Sequence, residues 1–155
     1  MQPRDLLRTA RKLLYSKGRG RPRQTDLRRA ISTAYYAIFH ALCHMCANCL
    51  SGTDRNSMGW MRTYRALEHR QAYRQFRRIM SGTVFSQDIH ALADAFVLLQ
   101  EKRHLADYDP KASFALQDAL FAIDLADYAT NVIKNMSFKE RKELSLWLLL
   151  RDRGN

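Results

Sequence analysis

The amino-acid sequence predicts an all-α protein, a bundle of five to six helices in which residues 1–155 form a single domain. Apolar residues recur three or four positions apart through most of the chain, which is the spacing of one face of an α-helix. No segment alternates apolar and polar residues with the period of two that a half-buried strand shows. Glycine, proline and serine gather between the periodic segments, where these residues mark turns.

The first two helices are predicted at residues 4–15 and 26–50. Pro3 suits the first turn of the first helix, because its missing N–H is one that a helix start leaves unpaired. Residues 16–23 are rich in glycine and positive charge, and we expect a loop there. Either Thr25 or Asp26 is expected to cap the second helix with its side chain.

Four further helical segments follow the loop at residues 51–57. A third region is predicted at residues 58–80, with a break near residues 69–72, where the apolar pattern loses its phase. A helix capped by Ser86 is expected to end near residue 104, before Pro110, and another to span residues 113–135. Ser137 and the glutamate three residues later form a capping box, which opens a last helix reaching about residue 151.

Two faces of the helix at residues 26–50 are expected to contact something other than solvent. One is apolar and faces the core; the other contains Arg29, Thr33, Tyr36 and His40, spaced four, three and four apart. Such a helix contacts its own core and also a partner, a ligand or a second copy of the chain. The alternative is that Tyr36 and His40 pack within their own bundle, and for His40 a partly buried, hydrogen-bonded histidine is the favoured interpretation.

Positive charge is concentrated in the first half of the chain. The net charge is +11, with +13 in residues 1–80 and −2 in the remainder. A solvated basic surface and a polyanion partner both explain this asymmetry, and its steepness favours the polyanion. Arginine binds phosphate in a bidentate manner, so RNA is a natural partner. The candidate nucleic-acid-binding residues are Arg19, Arg21, Arg23, Arg62, Arg65, Arg70, Arg74, Arg77 and Arg78.

Several other classes of protein are excluded. No apolar run reaches the roughly 18 residues of a membrane span, and the N-terminus lacks the uninterrupted apolar segment of a secretory signal, so we expect a soluble, cytoplasmic protein without membrane partners. Cys43, Cys46 and Cys49 are three apart, but on a helix they fan across about 120°, a poor arrangement for one tetrahedral ion. We therefore assign no metal and no cofactor, and expect the thiols to pack in the core.

Two stretches resemble a known family. The run RRAISTAYYAIFHAL (residues 28–42) is similar to the tyrosine-rich helix of HEPN-domain proteins, small prokaryotic helical domains. The run KRHLADYDP (residues 102–110) resembles the segment where that family carries its functional motif. The resemblance implies a two-fold homodimer with a composite cleft, lined by the face that carries Arg29, Tyr36 and His40. It also implies pairing with a minimal nucleotidyltransferase as one mode of action.

The second stretch departs from the family's ribonuclease motif. In ribonuclease members an arginine is followed four to six residues later by a histidine; here Arg103 matches the arginine and His104 the polar follower, but Tyr108 stands where histidine is expected. Histidine titrates near pH 6.5 and transfers protons readily, whereas tyrosine titrates near 10 and is a poor base. Arg103, His104 and Tyr108 are thus candidates for catalysis or for RNA binding. The structural alternative is that Tyr108 lies in a turn with Asp107 and Asp109, and that Arg103 simply pairs with one of these aspartates.

Two functions follow from the resemblance and the charge. The first is an RNA-binding or nucleotidyltransferase-partner module with a degenerate ribonuclease motif, in which Tyr64 or Tyr73 is available for base stacking. The alternative is a metal-independent endoribonuclease toxin of a toxin–antitoxin or defence system. Loss of the motif histidine with retention of the basic surface favours the first.

Overall fold

A computed structural model describes residues 1–15 and 20–151, and this part of the chain forms seven α-helices and no strand. The all-α prediction is confirmed. The helices are α1 (Pro3–Leu14), α2 (Gln24–Ser51), α3 (Met58–Ala66), α4 (His69–Ser81), α5 (Gln87–Tyr108), α6 (Leu116–Asn135) and α7 (Phe138–Leu149). None of these helices is long and apolar enough to cross a membrane.

The described residues contain one helix more than the predicted five to six, because the third region is two helices. Leu67 and Glu68 both adopt extended backbone conformations, with ψ angles of 122° and 140°. Leu67 is buried, so the chain leaves the helix at the point where this side chain enters the core. The expected break at residues 69–72 was therefore placed slightly too late, in what is the first turn of α4.

Helix α2 is the centre of the bundle and packs against α1, α3, α5, α6 and α7. Two of these, α5 and α6, are the helices predicted at residues 86–104 and 113–135. Ile31, Ile38 and Leu42 are fully buried along one side of α2, as their spacing predicts, and Tyr35 is fully buried as well. The helix ends before Gly52, whose φ of +78° and ψ of −170° lie in a region that is open essentially to glycine alone.

The start of α2 differs from the prediction. The helix begins at Gln24, so Thr25 and Asp26 lie inside its first turn and neither caps it; Arg23 is the N-cap residue and makes no side-chain cap bond. Gln24 instead donates from Nε2 to the carbonyl oxygen of Phe114 at 2.7 Å and accepts from the Phe114 N–H at 3.0 Å. This paired contact fastens the start of α2 to the loop before α6.

Local sequence signals predicted some ends of the last three helices correctly and others not. Ser86 caps α5, and Ser137 with Glu140 forms the predicted capping box of α7. Helix α5 continues to Tyr108, four residues beyond the prediction, because Pro110 restricts only the residue immediately before it, and that residue is already extended. Helix α6 begins at Leu116 rather than residue 113, and α7 ends at Leu149 rather than 151.

Candidate functional site

Arg103 lies at the centre of a cluster of tyrosines between α5 and α2. Its Nη2 donates to the Tyr36 hydroxyl at 2.9 Å, and its Nε lies 2.8 Å from Asp107 Oδ2 in an ion pair. The guanidinium carbon is 5.5–5.6 Å from the ring centroids of Tyr35, Tyr36 and Tyr108, the geometry of a cation–π contact. Only 14% of the arginine side chain is exposed. We call these five residues the Arg103 cluster.

Arg103 carries its positive charge, and neighbouring groups of the cluster largely balance that charge. Burial opposes the charge, yet the Tyr36 hydroxyl and the Asp107 carboxylate outweigh it, and the pKa of Arg103 lies above its usual value. Asp107 Oδ2 also accepts from the Ser32 hydroxyl at 3.2 Å. Because Asp107 is one helical turn after Arg103, the ion pair forms within α5 itself. Such an arginine holds α5 against α2.

A second arginine positions the end of α5. Arg28 Nη1 donates to the carbonyl oxygens of Ala106 and Asp109 at 3.0 and 2.9 Å, and its Nη2 donates to that of Ala112. Its guanidinium also lies 5.8 Å from the ring centroid of Phe114. Arg28 therefore satisfies carbonyl groups that the end of α5 leaves without helical partners.

The three residues proposed for catalysis are only partly brought together. Tyr108 contacts Arg103, as described above, and is exposed. His104 is also exposed and contacts the Tyr108 ring, with ring centroids 5.1 Å apart. No contact joins His104 to Tyr36 or Arg103 side chains in the described part of the chain, because successive residues on a helix point about 100° apart.

His69, at the first position of α4, is a member of this region that sequence reasoning missed. Its Nδ1 is 2.7 Å from the Tyr35 hydroxyl, and its ring stacks on Phe39 with centroids 3.8 Å apart. Its ring centroid is 5.9 Å from that of Tyr36. Burial, and then the charge of Arg103, lower the pKa of His69, so this imidazole is neutral at neutral pH. The structure thus places one histidine beside the Arg103 cluster, from a different helix than the motif.

Among the residues proposed for the cleft or dimer face, Tyr36 and His40 have internal partners. Their ring centroids lie 6.3 Å apart. His40 Nδ1 is 2.6 Å from the Tyr64 hydroxyl, and burial lowers the pKa of His40. This half-buried, hydrogen-bonded state agrees with the favoured interpretation of His40. Arg29 is exposed, two helical turns before Tyr36.

The tyrosines considered for base stacking are engaged within the fold. The Tyr64 ring stacks on Trp60 and on His40, with centroids 5.0 and 5.9 Å apart, and burial raises its pKa to about 12. Tyr73 donates its hydroxyl proton to Glu101 Oε1 at 2.8 Å. The Tyr64 ring is therefore part of the α2–α3 contact, and Tyr73 is fixed to α5.

The arginines of α3 and α4 form an exposed basic surface. On α4, Arg70, Arg74 and Arg77 are spaced four and three residues apart and share one face, and all are exposed. The opposite face of α4 carries Phe76 and Ile79, which are buried. Neither helix contains an acidic residue. The other exposed arginines of the predicted set are Arg21, Arg23, Arg62, Arg65 and Arg78, while Arg19 lies outside the described residues.

The three cysteines are placed in the core side of α2. Cys43 and Cys46 are buried, and burial raises the pKa of each to about 12, so both remain thiols at neutral pH. Cys49 is half-buried, and burial raises its pKa too. Within residues 1–15 and 20–151, no three histidine, cysteine or acidic side chains are arranged to hold a metal ion.

The geometry therefore presents two candidate sites, the enclosed Arg103 cluster and the open basic surface of α3 and α4. No known family model, curated protein or solved structure matches this chain. The two sites differ in what they can do: the cluster is already internally paired, whereas the surface presents charge to solvent.

Proposed function

We propose that this protein is a HEPN-like module that binds RNA with little sequence preference through the basic surface of α3 and α4. The observation that carries this proposal is the exposed face of α4, where Arg70, Arg74 and Arg77 lie in register without an acidic neighbour on the helix. A row of guanidinium groups attracts phosphate and releases the counterions condensed around it.

RNA binding is favoured over RNA cleavage because Arg103 already has partners within the fold. Arg103 already bonds Tyr36 and pairs with Asp107, so little of its charge is available to an RNA phosphate. The α4 arginines at positions 70, 74 and 77 have no hydrogen bond or ion pair to any residue in the described ranges. Unpaired surface charge costs less desolvation when it meets phosphate than charge that must first leave a partner.

We expect the RNA binding to show little sequence preference, because the basic surface lacks groups that read bases. Contacts to phosphate position an RNA strand but do not distinguish its bases. The hydroxyl groups of Tyr64 and Tyr73 are both hydrogen-bonded within the fold, so neither is free to bond the edge of a base. We therefore expect affinity for RNA strands to depend on length and salt rather than on sequence.

The test is the salt dependence of single-stranded RNA binding, followed by fluorescence anisotropy. If about five phosphates are contacted, the slope of log affinity against log salt is about −3.5. Replacing Arg70, Arg74 and Arg77 with Gln should flatten that slope by about 2, since each contact on a single strand contributes about 0.7. Weakening should be similar for all sequences.

The matched control changes the net charge equally elsewhere. Lys12, Lys111 and Lys139 are exposed and lie outside α3 and α4, and their replacement by Gln should leave the slope nearly unchanged. Equal effects of the two triple variants would show a non-specific response to net charge. Absent or salt-independent binding by the intact protein would overturn the proposal and leave a protein-partner role.

The second candidate function is a metal-independent endoribonuclease, and the position of His69 favours it. In such a reaction a base removes the 2′-hydroxyl proton, the 2′ oxygen attacks the phosphorus, and the leaving 5′ oxygen takes up a proton. A neutral His69 beside the Arg103 cluster supplies the proton-transfer group that Tyr108 cannot. Cleavage of RNA in EDTA that is lost in both His69→Asn and Arg103→Gln, with the RNA affinity retained, would support this function over simple binding.

The homodimer and the nucleotidyltransferase partnership remain predictions. Their structural support is a set of exposed apolar side chains on α5 and α6, which include Leu98, Leu105, Phe121 and Tyr128. Light scattering at micromolar concentration should give twice the chain mass of 18.1 kDa if the homodimer forms. A mass of one chain would contradict the homodimer and leave these side chains for a different protein.

A further inference from the structure

A cavity of about 200 Å³ lies where α2, α6 and α7 meet the start of α1. Three cationic side chains from three parts of the chain line it: Arg55 after α2, Lys134 near the end of α6, and Arg141 in α7. No acidic residue lines this cavity, and none of the three cations forms an ion pair within the described ranges. We call it the Lys134 cavity. Three uncompensated cations around one space favour an anion there.

A neutral side chain supplies further hydrogen-bond donors to the same space. Asn48 also lines the cavity, and its Oδ1 accepts from Trp60 Nε1 at 2.8 Å, so its amide NH₂ remains as the group that can donate. Arg55 lies over the Trp60 ring, 5.9 Å from the ring centroid, which limits where its guanidinium can move.

His44 also lines the cavity, as a neutral imidazole. Its Nε2 is 2.9 Å from the carbonyl oxygen of Met1, and since a carbonyl only accepts, Nε2 carries the proton. Burial lowers the pKa of His44, and the hydrogen bond to Met1 opposes this shift only in part. Nδ1 has almost no accessible surface, so an anion in the cavity does not reach it.

We propose that the Lys134 cavity binds a phosphomonoester, the terminal 5′-phosphate of an RNA strand, and this proposal rests on the proposed RNA-binding function. A phosphomonoester has a second ionisation near pH 6 and carries about 1.5 to 2 negative charges at neutral pH, and its oxygens can accept from the three cations and from Asn48. A phosphodiester within a strand carries a single negative charge, so the three cations favour the terminal phosphate.

An adjoining groove provides room for the rest of the nucleotide. It has a volume of about 730 Å³ and shares Lys134 and Thr130 with the Lys134 cavity. Arg4, Arg8 and Arg11 line it as well, and the latter two pair with Asp5 and Asp127 of the same groove. A strand whose 5′-phosphate occupies the cavity can therefore continue along a groove in which basic residues outnumber acidic ones.

The test compares two RNAs of one sequence, one with a 5′-phosphate and one with a 5′-hydroxyl, by fluorescence anisotropy with a label at the 3′ end. The phosphorylated RNA should bind about tenfold more tightly, since the phosphate makes several charge-assisted hydrogen bonds. Lys134→Gln and Arg141→Gln should each reduce that preference severalfold. Lys139→Gln, an exposed change on α7 outside the cavity, is the matched control and should preserve it.

A second measurement identifies the source of the phosphate. Inorganic phosphate, and separately a 5′-mononucleotide, should raise the melting temperature of the intact protein but not of Lys134→Gln, with sodium sulfate held at equal ionic strength as the control. A response to phosphate without any preference between RNA ends supports the cavity and assigns it to small phosphorylated molecules. Equal affinity for both RNAs together with no phosphate response overturns the proposal, and complete absence of RNA binding overturns the proposed function while the phosphate measurement still tests the cavity.

Discussion

Helices α3 and α4 and helices α5 and α6 contribute to one core but use their charges differently. The first pair carries six arginines and no acidic residue, and the second pair carries seven acidic and three basic residues. Several acids of the second pair work inside the fold: Asp107 pairs with Arg103, Asp118 accepts from the start of α6, and Glu101 accepts from Tyr73. Among residues 1–15 and 20–151, the α4 arginines at positions 70, 74 and 77 have no such partner. Arginines that lack a partner inside the fold favour a binding partner outside it.

The largest expected effect tests whether the basic pair is a true part of the core. Phe76 of α4 is fully buried and lies 4.7 Å from Phe96 of α5, centroid to centroid. Phe76→Ala should lower the free energy of unfolding by about 3–5 kcal/mol, because it leaves a cavity in the core. Urea denaturation measures this, with Phe121→Ala as the exposed counterpart, for which the loss should stay below about 1 kcal/mol. A small loss for Phe76→Ala would mean that α4 is only loosely attached.

The next expected effect addresses the charges themselves with two double variants of opposite sign. Arg70→Gln with Arg77→Gln should weaken single-stranded RNA binding about fifteenfold at 0.15 M salt, taking about fourfold per lost phosphate contact. Asp88→Asn with Asp94→Asn removes exposed acids of α5 and should raise the affinity less than about threefold, because screening limits charges distant from the bound strand. Changes of equal size in both would remove the functional distinction between the two pairs of helices.

A smaller effect concerns pH, through the histidines that hold α3 and α4 in place. Burial is the main cause that lowers the pKa of His40, His44 and His69 in the folded protein. Below about pH 6.5 the unfolded chain therefore binds protons that the folded protein does not, and the free energy of unfolding decreases as the pH decreases. Above that pH both states are neutral at these residues, and the contribution to stability is constant.

Denaturant unfolding at pH 7.5, 6.5 and 5.5 measures this dependence. Stability should differ little between the two higher values and should fall at the lowest. Replacing both His40 and His69 with Asn should lower stability at pH 7.5, because the Tyr64 and Tyr35 hydroxyls lose their partners. The same double variant should show a weaker decline toward pH 5.5. An unchanged decline would assign the acid sensitivity to other groups.

The smallest expected effect is an ion pair that links α1 to α6. Arg11 Nη2 is 3.2 Å from Asp124 Oδ1 and 3.7 Å from Asp127 Oδ2, and 74% of the Asp124 side chain is exposed. Asp124→Asn should change the free energy of unfolding by less than about 1 kcal/mol, because water screens exposed pairs. A double-mutant cycle with Arg11→Gln measures the coupling, which should shrink further in 0.5 M salt.

Local sequence signals predicted those parts of the fold that depend on neighbouring residues. The apolar repeat located α2 and its buried face, and the serines at 86 and 137 located two helix starts. These succeed because helix periodicity and N-capping act within one or two turns of the chain. The same signals placed the break at Leu67 slightly too late, because its cause is burial of one leucine in the core.

The candidate site was less predictable, since its contacts join distant residues. Arg103 was singled out from the sequence, but its bond to Tyr36 spans 67 residues along the chain and was not predicted. His69 reaches Tyr35 across 34 residues, and a single histidine at a helix start carries no pattern that identifies it. The cations of the Lys134 cavity likewise come from positions 55, 134 and 141, and only packing brings them together.

The two tyrosine–histidine hydrogen bonds also make the motions of α3 and α4 separately observable. The Tyr64 bond to His40 joins α3 to α2, and the Tyr35 bond to His69 joins α4 to α2. Both are short and partly buried, so their bridging protons exchange slowly with solvent and can give resolved low-field resonances in a proton NMR spectrum. Each resonance disappears when its own helix detaches. The order in which they vanish on warming would therefore reveal which of the two helices leaves α2 first.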